Sequence, residues 1–403
     1  MFGVAALACC AAAFLQGQNS PREELKYAVV VSRHGVRSPT WTPERLNQYS
    51  AAAWPDFGVA PGELTPHGRA LMKTMGAFYR GYFAARGLFP NPGCAGADHT
   101  YFRADSAQRT LVTAQALAEG MLPGCKVQIH ALEEGERDSL FDATEAGADA
   151  KLALAAVAGR LGPKPEAIID ARRHAFDTLT RLLTGDGKAA HSLFEEPLSL
   201  GGGKAGVAMN GPLSLASTLS EDLLLEYADG MSGERLGWGR LTAANLLEVL
   251  ALHTAYADLM RRTPYLARTR GANLMNGIVR SLEQAATGKA VAGAIGSPQT
   301  ALLIVSGHDT NLSNLSGMLG LTWLLPGYQP DDAPPGGALI FTLWRSPDNG
   351  RYSVRLQFTA QTPDQMHDAS PDAPAITEIF VPGCSTAAPG YPCPWEAFRA
   401  IAK

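Results

Sequence analysis

The sequence predicts an α/β fold, a mixed, mostly parallel sheet flanked by helices and interrupted by an all-helical insertion. Three observations predict it. Two continuous, β-branched apolar runs stand near opposite ends of the chain, YAVVVS at Tyr27–Ser32 and ALLIVSG at Ala301–Gly307, and such runs suit strands buried on both faces of a parallel sheet. Between about 151 and 289, apolar residues recur every three or four positions, as in EAIIDARRHAFDTLTRLL and TAANLLEVLALHTAYADLMRR, which is the period of amphipathic helices. After the second run, ALIFTLWR and RYSVRLQF alternate on either side of the turn SPDNG, a hairpin pattern. The economical division is an α/β domain of residues 22–145 and 290–403 with an inserted helical domain of residues 146–289. A cleft is expected where they meet.

The 403 residues, 46% hydrophobic and 18% charged, suffice for one large or two moderate domains with a real core. Lys plus Arg number 34 against 38 Asp plus Glu, a net charge of −4, so there is no basic field to bind nucleic acid. No run of 18 apolar residues exists to span a bilayer. A monomer without nucleic-acid or stable membrane partners is expected.

Residues 1–21 read as a signal peptide: Met1–Leu15 carry no charge, small residues occupy Ala11–Ala13, and the first charged residue is Arg22. The usual basic start is missing, and a lipid anchor on Cys9 or Cys10 is the lesser alternative. Removing this leader leaves Cys94, Cys125, Cys384 and Cys393, an even count that reads as disulfides in an exported chain. Close spacing around a Pro- and Gly-rich stretch favours Cys384 with Cys393, and Cys94 with Cys125 then follows. Buried free thiols in a cytosolic protein are the alternative. Zinc is disfavoured, because no Cys has a second Cys or His at ligand spacing. A periplasmic or secreted location is expected.

Chemistry gathers at the strand ends. The first strand runs into Arg33, His34, Gly35, Val36, Arg37, Ser38 and Pro39, the second into His308, Asp309, Thr310 and Asn311. Ligands bind at the carboxyl ends of strands in open α/β sheets, so two strands deliver charge to one rim. A third segment, RADSAQRT at Arg103–Thr110, leads into the helical run LVTAQALAEGML and puts Arg109 near a helix N-terminus, where anions are favoured. Arg33, Arg37 and Arg109 offer the planar, multi-donor contacts that a phosphate or a carboxylate takes. A satisfied structural histidine or a surface arginine is the plain alternative for each segment taken singly.

Together the segments support covalent phosphoryl transfer without a cofactor or metal. An unprotonated His34 nitrogen attacks phosphorus, giving a phosphohistidine that water later cleaves. The arginines neutralise the transferring oxygens, and His308 donates one more hydrogen bond to them. Asp309 is the adjacent acid for the leaving alkoxide. Like-charge repulsion from bound phosphate favours its protonated form, and an acidic optimum is expected. Thr40 and Thr310 flank the two runs and can hydrogen-bond substrate oxygens. The expected partner is a small-molecule phosphomonoester.

The runs RHGVRSP, ADSAQRT and SGHDTNL, in this order, resemble the histidine acid phosphatases of the histidine phosphatase superfamily, branch 2. The resemblance extends from about Tyr27 to the C-terminus and includes DSLF at Asp138–Phe141, GWGR at Gly237–Arg240 and PPGGAL at Pro334–Leu339. These segments look most like bacterial periplasmic phytases and glucose-1-phosphatases. The resemblance implies a phosphoglycerate mutase-like α/β domain with a helical domain, and a phosphoric monoester hydrolase that uses no catalytic metal. It also implies His34 as nucleophile, Arg33, Arg37 and Arg109 as phosphate ligands, His308 as a further phosphate ligand and Asp309 as proton donor. The four remaining cysteines match two disulfides usual in the bacterial enzymes.

In phytase-like members a basic residue commonly follows RHGxRxPT. Trp41 stands there in this chain, which argues against tight phytate binding. Arg270, in ARTRGANL, matches a cationic pocket position, and Gly35 and the HDTN form resemble the phytase branch. An acid phosphatase acting on myo-inositol hexakisphosphate is therefore expected first, and a glucose-1-phosphatase or other sugar-phosphate phosphatase second. The apolar leader and cysteine pairs argue against a phosphoglycerate mutase-type transferase, and a non-enzymatic phosphate-ester binder needs neither His34 nor Asp309 as a pair. His67 and the histidines outside both motifs are expected to be structural or to support site residues from behind. Glu221 and Asp222 are expected to open an apolar helix and complement its dipole.

Overall fold

A computed structural model describes residues 23–88, 93–142, 148–203 and 206–402; the expected signal peptide over residues 1–21 lies outside the described residues. The strands are β1 (Glu24–Arg33), β2 (Thr100–Ala104), β3 (Ile129–His130), β4 (Ser199–Gly201), β5 (Ala208–Asn210), β6 (Leu302–Gly307), β7 (Ala338–Arg345), β8 (Tyr352–Ala360), β9 (Ala375–Ile379) and β10 (Cys393–Pro394). The α-helices are α1 (Pro43–Leu46), α2 (Pro66–Ala84), α3 (Gln108–Met121), α4 (Ala150–Leu161), α5 (Ala167–Asp170), α6 (Arg173–Thr184), α7 (Pro212–Ala228), α8 (Ala243–Met260), α9 (Pro264–Thr287), α10 (Asp309–Leu319), α11 (Pro363–His367) and α12 (Trp395–Ile401).

Eight strands form one sheet in the order β10-β8-β7-β1-β6-β2-β3, with β9 paired on β8. β1, β6, β2 and β3 run parallel, and β7 is antiparallel to both β1 and β8, so β8 points the same way as β1. The sheet is thus mixed, with most strands sharing one direction. Side chains along β1 alternate between two cores. Val29 and Val31 enter one with Leu303, Val305 and Phe341, while Ala28 and Val30 enter the other with Leu302, Ile304 and Ile340. Helices α9 and α10 cover the first face, and α2 and α3 the second. Coverage on both sides is why these strands read as unbroken apolar runs. In the first turn of α2, a Cβ on Gly68 would stand 2.1 Å from the Val36 carbonyl oxygen. Glycine there lets the helix seat directly on the loop that leaves β1.

A third core lies among α4, α6, α7 and α8, with Val157, Phe176, Leu179, Leu223 and Val249 at its centre. Helix α7 serves two cores at once: Leu219 and Leu223 face the helical one, Leu225 and Ala228 the sheet. Three details differ from the sequence-based expectation. The segment read as wholly helical also holds the antiparallel pair β4–β5. Helix α9, within the expected insertion, packs Leu274, Met275, Ile278 and Leu282 into the same core as Val29 and Val31, because helical period reveals an apolar face and not the neighbour that takes it. Finally, α7 begins at Pro212, so Glu221 and Asp222 do not open a helix. They sit in its interior, only 8% and 1% exposed.

Two disulfides tie down the periphery. Cys94 with Cys125 joins the approaches to β2 and β3, and Cys384 with Cys393 joins the turn after β9 to β10. Among the described residues no helix is long and apolar enough to cross a membrane.

Candidate active site

Arg33 at the end of β1 stands opposite Gly307 at the end of β6, and the next residue of each segment is a histidine. The His34 backbone N–H donates to the Gly307 carbonyl, and its own carbonyl accepts from Gly336 N–H, both at 2.9 Å. The loop is thereby fixed on two sides. His34 Nδ1 lies 2.9 Å from the Gly35 carbonyl oxygen. A carbonyl only accepts, so Nδ1 carries the proton and Nε2 keeps its lone pair. Burial, reinforced by the charges of Arg33, Arg37, His308 and Arg109, holds the imidazole well below its usual pKa. The ring is therefore neutral in mild acid.

One buried carboxylate braces two of these cations. Arg33, only 1% exposed, donates to the Ala333 carbonyl at 2.6 Å and to Glu221 Oε1. Arg37 Nη2 lies 3.4 Å from Glu221 Oε2, and its Nη1 donates to the Ser38 carbonyl at 2.9 Å. Burial pushes the Glu221 carboxyl up, but Arg33 and Arg37 outweigh it and bring the group down to about 2. Two guanidiniums and one carboxylate leave one net positive charge beside His34.

Arg109 is the second residue of α3, and its Nη1 is 3.5 Å from the Gly62 carbonyl, a weak contact. Thr40 is exposed at the rim beside it: a Cβ on Gly62 would touch Thr40 Cγ2 at 3.6 Å and Arg109 Nη1 at 3.7 Å. Among the described residues, Nε of Arg33, Arg37 and Arg109 is buried without a hydrogen-bond partner.

His308 lies across from the nucleophile candidate, its ring centroid 5.6 Å from that of His34. Its Nε2 pairs with Asp105 Oδ2 at 2.6 Å. Its backbone N–H donates to Asn311 Oδ1, and Asn311 Nδ2 donates to the Phe141 carbonyl, both at 2.8 Å. The three segments RADSAQRT, DSLF and SGHDTNL are thus physically interlocked. Asp309 opens α10, where the helix dipole favours negative charge. Its Oδ1 accepts from Thr310 N–H at 2.7 Å and Thr310 Oγ1 at 3.3 Å, and its Oδ2 accepts from Arg261 Nη1. His253 Nε2 stands 3.9 Å from the same Oδ2. Burial pushes Asp309 up, yet Arg261, Arg33 and His253 together hold it well below the usual carboxylate range. In the unliganded protein Asp309 is therefore ionised.

His34, Arg33, Arg37, Arg109, His308 and Asp309 lie within electrostatic reach of one another. Thr310 is spent on orienting Asp309. Arg270, on α9, donates to the Met260 carbonyl at 2.9 Å, one residue from Arg261. Trp41 stacks under Arg45, whose Cζ is 3.6 Å from the ring centroid. His67 is structural, its Nε2 2.7 Å from the Met366 carbonyl. His253, one of the histidines expected to be structural or to support a site residue from behind, adjoins Asp309 while its Nδ1 meets Ser217 Oγ at 3.2 Å. Arg261 had no local signal, since basic residues ending an apolar helix commonly complement its dipole. Glu221, His253 and Asp309 bring ligand atoms within 4.8 Å of one another, a spacing a metal would accept. Both carboxylates are already committed to Arg33, Arg37 and Arg261, whose charges repel a dication, so this donor set does not suit one.

The sequence profile of the histidine phosphatase superfamily (branch 2) matches residues 24–154 and 217–359. The chain is 33% identical to phytase AppA of Escherichia coli (strain K12) over 387 residues, 91% of this chain and 88% of that protein. It is 27% identical to a glucose-1-phosphatase of Salmonella typhimurium over 398 residues, 95% of this chain and 93% of that protein. Hafnia alvei phytase in complex with tartrate superposes with a TM-score of 0.86 at 36% identity, covering 94% of this chain and 96% of that one. The same phytase in complex with myo-inositol hexakis sulphate gives 0.85 at 35% identity, with the same coverage. With the His34 loop, the interlocked segments and these relatives in agreement, the chain belongs to the histidine phosphatase superfamily, branch 2, as a histidine acid phosphatase that hydrolyses phosphoric monoesters.

Proposed function

We propose that the enzyme is a phytase, removing phosphate from myo-inositol hexakisphosphate through a phosphohistidine on His34, in the periplasm or outside the cell. The observation behind this is the His34 imidazole, with Nδ1 engaged by Gly35 at 2.9 Å and the Nε2 lone pair left among Arg33, Arg37, Arg109 and His308. A neutral, oriented imidazole beside fixed cations is what attack on an anionic phosphorus needs. Arg33, Arg37 and Arg109 hold the phosphoryl oxygens, the first two braced from behind by Glu221. His308, its Nε2 held by Asp105, stands across from His34 as the further phosphate ligand, and Asp309 protonates the leaving alkoxide. Thr40 and Arg270 meet outer phosphates, and Thr310 aims Asp309. The α/β domain supplies the nucleophile and the helical domain supplies Glu221 and Arg261.

Phytate is favoured over glucose-1-phosphate because the phytase relatives are the more similar, 33% identical against 27%. One phytase of this fold also accepts a hexakis-sulphated inositol. Arg45 over Trp41 returns a cation to the place where the basic residue is missing. Two disulfides agree with an oxidising compartment. The glucose-1-phosphatase alternative draws on Trp41 itself, an apolar wall where a second phosphate would meet a base.

A steady-state panel near pH 5 with phytate, glucose-1-phosphate and p-nitrophenyl phosphate, each with and without EDTA, tests this. The expected result is the highest kcat/KM on phytate, unchanged by chelator. A higher value on glucose-1-phosphate overturns the phytase assignment, and loss of turnover in EDTA overturns the metal-free mechanism.

A further inference from the structure

We propose that Arg261 is a positioning residue for the acid step: it keeps Asp309 a carboxylate while the site is empty and yields it to a proton when a phosphomonoester enters. This rests on Asp309 being the acid proposed above. An acid that is already ionised has nothing to donate, so something must change on binding. Arg261 caps the C-terminus of α8, and among the described residues its one side-chain hydrogen bond goes to Asp309 Oδ2. A guanidinium has five donors, so most of this one remains available to an ester's oxygens. The other carboxylate oxygen is already held by Thr310 N–H and Oγ1, so Asp309 is fixed in place whichever way Arg261 turns.

The charges around Asp309 come from every element that packs on it. Arg261 and His253 project from α8, Arg33 from the end of β1, Arg109 from α3 and His308 from the start of its own helix. Glu221 on α7 opposes them, and Asp332, ahead of β7, lies within electrostatic reach of Arg33 and His253. Cations dominate, and Arg261 is the one in direct contact. A bound phosphoryl group adds negative charge beside this set and draws on Arg261, which weakens but does not end the guanidinium's pull on Asp309 and so shifts the acid toward its protonated form.

The proton enters with the substrate, because a phosphomonoester loses its second proton near about pH 6. It passes to Asp309. The His34 Nε2–P bond then forms as the P–O ester bond breaks, the carboxyl proton moves to the departing alkoxide, and the restored carboxylate closes on Arg261. No other reactant is required.

The test is kcat against pH for Arg261→Met and Arg261→Lys, on glycerol phosphate, a poor leaving group, and on p-nitrophenyl phosphate. The alkaline limb of kcat reports the acid within the enzyme–substrate complex. With the Met variant that limb moves upward by about one unit on glycerol phosphate, so the ratio of kcat at pH 7 to that at pH 5 rises about fivefold. The Lys variant keeps the wild-type limb, and the nitrophenyl profile changes little. If the Met variant does not fold, Arg261→Gln carries the same expectation. A uniform loss at every pH with an unmoved limb overturns the role of Arg261. Asp309→Asn, measured beside it, separates the two claims. A selective collapse on glycerol phosphate with an unmoved Arg261→Met limb defeats this inference alone, whereas equal losses on both esters defeat the acid assignment and this inference with it.

Discussion

The nucleophile half of the site and the acid half are built by opposite means. Arg33, His34 and Arg37 leave a single strand within five consecutive positions, and backbone hydrogen bonds to Gly307 and Gly336 hold their loop. Asp309 opens α10, but the groups that set its charge come from β1, α7 and α8. The same guanidiniums also act on both halves in one direction. Positive charge lowers the pKa of an imidazole and of a carboxyl alike. For His34, the proposed nucleophile, this is directly useful, since it keeps the ring nitrogen unprotonated in acid. For Asp309 it works against proton donation, and only the charge of bound substrate reverses it. A cation-rich phosphate site therefore prepares its base at rest and its acid only on loading.

The largest effect that would break this contrast comes from the nucleophile. His34→Ala should lower turnover by about 10⁴-fold or more on every ester, good or poor leaving group alike, with circular dichroism unchanged. Substantial residual turnover on p-nitrophenyl phosphate would remove the phosphohistidine.

Next comes the brace shared by both halves. Glu221→Gln leaves Arg33 and Arg37 buried without their counter-charge, which should cost about 3–5 kcal/mol in denaturant unfolding. Inorganic phosphate should restore part of the loss, because an anion then replaces the carboxylate. In the wild type, Glu221 is down to about 2, so its stabilisation is present above the unfolded carboxyl pKa and fades only as pH falls through about 2. A variant as stable as the parent would show that the two guanidiniums do not depend on Glu221.

The smallest effect concerns two acids behind the brace. Asp222 and Glu226 lie one turn apart on α7, and burial first, with neighbouring carboxylates adding to it, pushes each up to about 8. Unfolded carboxyls titrate near about 4, so between about pH 4 and pH 8 the folded protein binds more protons than the unfolded chain. Stability therefore falls as pH rises through that window, the reverse of the Glu221 trend. Asp222→Asn and Glu226→Gln should each flatten the fall, gaining about 2 kcal/mol near pH 8 while changing little at pH 4. Melting curves at the two pH values measure this, and parallel shifts at both would discard the buried-acid explanation.

What was legible followed from connectivity. Burial on both faces of β1 and β6 makes each an unbroken apolar run, and whatever follows such a strand in sequence must appear at the sheet's carboxyl edge. That put His34, Arg37, His308 and Asp309 on one rim without coordinates, and spacing paired Cys384 with Cys393. What the sequence left open was every contact between separate elements. Arg33 meets Glu221 across 188 positions, and Arg261 meets Asp309 across 48. No period or motif marks such pairs. Glu221 looks like an ordinary helical acid, His253 like a core histidine, and Arg261 like a helix-ending cation. The sequence alone determined that an imidazole stands at this strand end, because the chain's own path brings His34 there. Only the packing of α7 and α8 against the sheet decided which charges surround it, because electrostatic influence depends on distance in space, which helix packing sets and chain order does not.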